Sequence, residues 1–159
     1  MPSEGFRVTV DEWTSADQQR AWDVIVPVDL TAVFTGLKPA IPAVVGVREQ
    51  TGDWDEAGQT RKIDLADGSY TGEIIKTADS PELFTYTVGP FSGPVGKLVD
   101  RAEGEFKFTP MSDGTHVRWT YVWFPKRGGA PIVWALSKLW RIYANRCIVS
   151  LVKLAEPVQ

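Results

Sequence analysis

Residues 131–155, PIVWALSKLWRIYANRCIVSLVKLA, decide the fold. Ile132, Leu136, Leu139, Trp140, Tyr143, Cys147, Ile148 and Leu151 recur three or four apart, while Lys138, Arg141, Asn145 and Lys153 take other positions, the period of an amphipathic helix. Pro131 opens it in a first-turn position where a missing N–H costs nothing. About 25 residues at 1.5 Å each make a rod of roughly 37 Å, enough to cross a domain of this size. Its apolar face needs cover, and the segment before it offers a sheet.

From Ala43 to Phe124 the chain reads as strands separated by turn chemistry: Val44 to Thr51, Gln59 to Leu65, Ser69 to Thr77, Leu83 to Val88, Ala102 to Thr109 and Thr115 to Phe124. Asp67-Gly68 and Asp113-Gly114 between alternating runs predict hairpins. Upstream, Phe6, Val8 and Val10 alternate with polar residues in a first strand reaching Trp13. Ser15 and Gln18 have the spacing of a capping box, so a helix is predicted from Ser15 to just before Pro27, with a short second helix from Leu30 to Phe34. Glu156 to Gln159 are expected to fray. The segment Gly89-Pro90-Phe91-Ser92-Gly93-Pro94-Val95-Gly96 is dense enough in glycine and proline to predict an irregular loop, either a lid or a connector.

A chain of 159 residues, 43% apolar and 23% charged, fits one globular domain over residues 1–159. Its net charge of −3 gives no long-range attraction to nucleic acid or anionic lipid, although a local basic patch stays possible. Met1 to Thr9 lacks a basic stretch followed by an apolar run, and no segment reaches the roughly 20 apolar residues of a membrane span, so cytoplasmic localisation without membrane insertion is expected. One cysteine and one histidine exclude an intramolecular disulfide and a Cys/His zinc site and leave His116 alone to serve a hydrolytic triad; a carboxylate-only site for magnesium or calcium stays open, although no Asp-rich calcium loop is present. No metal or cofactor is expected.

The order of strand, two helices, six strands and long helix resembles the helix-grip fold of the START-like (SRPBCC) superfamily. The residues that carry the likeness are Ser15-Ala16-Asp17-Gln18-Gln19-Arg20-Ala21-Trp22 with Asp29, Leu65-Ala66-Asp67-Gly68, Gly104-Glu105-Phe106-Lys107-Phe108-Thr109-Pro110 and Gly114-Thr115-His116-Val117-Arg118-Trp119-Thr120-Tyr121. They are most similar to the bacterial branch of polyketide cyclase/dehydrase and lipid-transport proteins. The resemblance implies an α+β fold in which a curved seven-stranded antiparallel sheet wraps the C-terminal helix, with a pocket between them. Its motifs mark turns and strand positions rather than reacting groups.

Strand parity then nominates the pocket residues. Val117, Trp119, Tyr121 and Trp123 share the face toward the helix and either floor a cavity or form an aromatic core; His116 and Arg118 take the other face. Phe84, Tyr86 and Val88 share a face, Tyr70 and Tyr143 are further candidates to place a hydroxyl inside, and Trp134 and Trp140 point to an aromatic interior. Parity with Ile75 allows Glu73 an inward position as a carboxylate base of raised pKa, although a solvated face is the commoner fate; Glu105 points outward. Cys147 reads as a small buried hydrophobe, and Lys126, Arg127, Arg141, Arg146 and Lys153 as a solvated basic set.

The expected ligand-binding residues are Tyr86, Trp119, Tyr121, Trp123, Trp140, Tyr143, Glu73 and Phe91, with Gly89 to Gly96 and Gly36 to Pro42 bordering the entrance. The expected partner is a small hydrophobic or amphipathic molecule such as a lipid or polyketide, bound by a monomer or weak homodimer without nucleic acid. The alternatives are a polyketide aromatase or cyclase using Tyr86, Tyr121, Glu73 and Arg118, and a protein-interaction domain with a filled core.

Overall fold

Alternation of Val8 and Val10 with polar neighbours produces strand β1, Phe6–Thr14, in a computed structural model that describes residues 4–157. Residues 1–3 and 158–159, the last part of the expected frayed tail, lie outside the described residues. Helix α1 is Gln18–Ile25, later than the capping-box reading predicts. The cap is Asp17, whose carboxylate accepts the Arg20 N–H at 2.8 Å, while the Gln18 amide instead donates to the Phe108 carbonyl at 2.9 Å and ties the helix to the sheet. Replacing Asp17 with alanine is expected to cost about 1 kcal/mol and lower Tm by about 2–4 °C in a thermal melt. Helix α2, Leu30–Val33, is capped in the same way by Asp29.

Strands β2 (Val44–Arg48), β3 (Thr60–Leu65), β4 (Tyr70–Asp79), β5 (Leu83–Phe91), β6 (Val99–Met111) and β7 (Gly114–Pro125) follow as a meander. Among the described residues the strands form one seven-stranded antiparallel sheet in the order β1-β7-β6-β5-β4-β3-β2, so the first strand closes on the last. The β6–β7 loop is Ser112 and Asp113, one residue earlier than expected. Gly114 is needed for a different reason: a Cβ there would run into the Thr14 carbonyl at the end of β1.

The Gly89 to Gly96 segment is more regular than its composition suggests. β5 continues to Phe91, which pairs with Thr71, because a register shift between Thr71 and Glu73 absorbs Gly89 and Pro90. Pro94–Lys97 then make one 3-10 turn, held by the Lys126 ammonium on the Gly96 carbonyl at 2.6 Å.

Helix α3, Ala130–Ala155, lies across the sheet, chiefly on β1 and β7, with its end bound by the Arg20 guanidinium on the Ala155 carbonyl at 2.7 Å. Its buried stripe runs through Val133, Ser137, Trp140, Tyr143, Ala144, Cys147, Ile148 and Leu151 to Val152 and Ala155. Ile132, Leu139 and Trp134, read from sequence as inward, face away from the core, Ile132 at 57% exposure and Trp134 at 52%. The helix is apolar around much of its circumference, so periodicity alone does not single out one seam; contact with the sheet selects the stripe where small Ser137 and Ala144 accompany Trp140 and Tyr143.

A candidate ligand cavity

The sheet register sets out the cavity in rows. One row runs Trp123, Ala102, Val88, Glu73, Arg61 across β7 to β3, and the next runs Tyr121, Gly104, Tyr86, Ile75. β6 therefore contributes Ala102 and Gly104 where its neighbours contribute large side chains. The Tyr86 ring uses that room: a Cβ at Gly104 would fall within it.

Between these rows, α3 and the α2–β2 segment lies a cavity of about 200 Å³. All eight residues nominated from sequence line it. Tyr121 and Trp140 lie with ring centroids 4.5 Å apart, Trp123 and Trp140 5.3 Å, and Phe91 stacks on Trp123 at 5.9 Å. Ala40, Ile41 and Pro42 from the α2–β2 segment, Asp67 and Ser69 from the β3–β4 turn, and Ser92 and Val95 from the segment after β5 make the more exposed part of the lining. The Tyr143 hydroxyl accepts the Gly36 N–H at 3.1 Å and so pins the α2–β2 segment to α3.

At the β3–β4 side the wall is ionic. Arg61 and Glu73 face each other in register and pair at 2.8 Å, both nearly buried, with the guanidinium 3.9 Å above the buried Trp54 ring. Burial pushes the Glu73 carboxyl up from its ordinary value, and the charge and hydrogen bond of Arg61 oppose that rise. The solvated position open to Glu73 from sequence is thus not the one it occupies. Arg61 and Trp54 carried no sequence assignment. Arg61 shares parity with Ile63 and Leu65, a signal masked by Thr60 and Lys62 on either side; Trp54 lies in an acidic loop without period and takes a φ of 61°, a left-handed conformation that folds its ring back over Arg61.

Tyr86 accepts a hydrogen bond from the Trp119 Nε1–H at 3.0 Å. Burial, with the Glu73 charge behind it, holds the Tyr86 phenol above its ordinary value, and burial does the same for Tyr121, so both hydroxyls stay neutral and neither is a base. Among the described residues, the Trp123 and Trp140 Nε1–H groups are buried without an acceptor, and both tryptophans line the cavity.

Other candidates lie elsewhere. Arg118 is on the outer face of the sheet with Asp11 at 2.8 Å, and His116 reaches the same carboxylate at 2.8 Å. Tyr70 is exposed beneath the Arg48 guanidinium, 5.1 Å from its ring. Cys147 is buried against α2, its thiol pushed up to about 12 by burial.

No protein-family model matches the chain, and no curated protein matches it. Solved structures do. Norcoclaurine synthase from Thalictrum flavum superposes with a TM-score of 0.70 at 17% identity, covering 97% of this chain and 95% of that one. A Chromobacterium violaceum protein gives 0.65 at 15% identity over 96% and 99% of the two chains. Ara h 8.0201 gives 0.64 at 18% over 95% of each. Element order, sheet order and these superpositions agree: the chain has the helix-grip fold.

Proposed function

We propose that the chain binds a small, mainly apolar molecule carrying a hydrogen-bond acceptor, held in the aromatic cavity with that acceptor on the indole N–H groups of Trp123 and Trp140. Those two donors carry the reading. A buried donor without a partner costs about 1–3 kcal/mol, and an acceptor delivered by a ligand removes that cost. The volume weighs against a filled core and bounds the ligand's size: an apolar cavity of about 150 Å³ holds benzene, so 200 Å³ suits one or two rings or a short chain better than a long lipid.

Turnover is the second reading, favoured by Glu73, a buried carboxyl of raised pKa on the cavity wall that can take a proton from a bound carbon acid. Arg118, on the opposite face of the sheet, has no part in it.

Native mass spectrometry of the purified protein, followed by titration of hydroxylated and carbonyl-bearing aromatics against tryptophan fluorescence, tests the binding. Saturable quenching is expected. Trp140→Phe should weaken it about five- to a hundredfold, because the ligand's acceptor loses its donor. No saturable response across the panel, or one unchanged in both Trp140→Phe and Trp123→Phe, sinks the proposal.

A further inference from the structure

The outward face of α3 combines two properties that the core and the cavity leave unexplained. Ile132, Trp134, Leu139, Ile142 and Val149 are exposed along it, Ile142 at 50% and Val149 at 48%. On a helix of 3.6 residues per turn, Ala135, Ile142 and Val149 form one ridge and Ile132 and Leu139 the next, a continuous apolar stripe. Lys138 and Arg141 lie along one margin, and Arg146 and Lys153 continue the second ridge. No Asp or Glu occurs in the 26 residues. Among the described residues none of these four cations makes an ion pair with a carboxylate. The chain's net charge is −3, so with these four cations set aside the remainder carries −7. The molecule has an acidic body and a cationic, apolar helix face.

We infer that this face docks on an anionic phospholipid surface. Apolar side chains enter the acyl boundary while lysine and arginine reach up to the phosphates, their methylene stems lying along the apolar ridge. Trp134, with the Lys138 ammonium 5.2 Å from its ring, has the amphipathic character of an interfacial anchor. Charge decides against a second copy of the chain as the occupant, because apposed α3 faces would bring like cations together without a carboxylate between them. The helix lies on such a surface and does not cross it: no described helix is long and apolar enough to span a membrane. Ile132 is one turn from Leu136, which lines the cavity, so the docked stripe begins beside the ligand site.

Flotation of the full chain with vesicles tests the inference independently of any cavity ligand. The chain should float with vesicles of phosphatidylcholine and phosphatidylglycerol, stay behind with phosphatidylcholine alone, and be released by high salt. Lys138→Glu with Arg146→Glu should lower partitioning more than about tenfold, since each basic residue near such a surface contributes about 1 kcal/mol. Ile142→Glu with Val149→Glu should abolish it, while Lys107→Glu, on the outer face of β6, should float as the parent does. Thermal melts confirm that each variant is folded. Three results overturn the inference: no flotation with the anionic vesicles, equal loss in Lys107→Glu, or a solution dimer that Ile142→Glu dissociates.

Discussion

Replacing Glu73 with leucine is expected to destabilise the fold by about 3–5 kcal/mol at neutral pH, because it leaves the Arg61 guanidinium buried without its partner. Arginine cannot escape by losing its proton, so the variant carries this buried charge at every pH; because burial raises the Glu73 carboxyl of the parent, the parent's margin over the variant should be largest in acid and narrow as pH climbs through the folded carboxyl value. Arg61→Met should behave differently, because a carboxyl can neutralise itself. Without Arg61, the Glu73 pKa, already raised by burial, rises further. The folded state then keeps a proton that the unfolded chain gives up. Stability should be greatest below the unfolded carboxyl value of about 4.3 and should fall as pH climbs through the folded one. The double replacement, Arg61→Met with Glu73→Leu, should recover to within about 1 kcal/mol of the parent or exceed it, since neither charge remains to be desolvated. Urea unfolding of the three variants from acid to neutral pH measures all of these effects. A cost below about 1 kcal/mol for Glu73→Leu would mean that Arg61 turns out to solvent when released.

Gly104→Ala is expected to cost about 1–3 kcal/mol and to abolish ligand binding, a large effect for one methyl group. The added Cβ occupies space held by the Tyr86 ring, which can yield only toward the cavity. Its movement breaks the 3.0 Å bond from Trp119 and fills part of the 200 Å³. Combining it with Tyr86→Leu should restore much of the stability, because the shorter side chain no longer overlies position 104. A Gly104→Ala protein that melts and binds like the parent would place the ring elsewhere.

The fold was legible because its two periods are clean. β7 alternates from Thr115 to Phe124, and that parity places Trp119, Tyr121 and Trp123 inward. Helix boundaries were less legible where two residues offered the same cap: Ser15 and Asp17 both suit the role, and only the position of Phe108, 90 residues from Gln18, takes Gln18 out of a capping box. Charge masked the polar wall. Arg61 sits in Thr60-Arg61-Lys62, which reads as solvated; its burial depends on Glu73 facing it across a ladder and on Trp54 arriving from a separate loop. Such coincidences are tertiary and leave no periodic trace. The seam of α3 was obscured for the opposite reason, an excess of apolar residues, some of which face outward.

The closure of β1 on β7 also bears on how the chain is made. Thr9 and Thr120, whose hydroxyls meet at 3.3 Å, are 111 residues apart. At roughly 5–20 residues per second, a ribosome leaves β1 without its partner for about 6–20 s. Meanwhile β1 is an unpaired edge with apolar Phe6, Val8 and Val10 on one face; Arg7, Asp11 and Glu12 are the charges that discourage its pairing with a neighbouring nascent chain. Strands β2 to β7 can zip hairpin by hairpin as they emerge, whereas β1 must wait for β7, and α3 can cover the sheet only after both have paired.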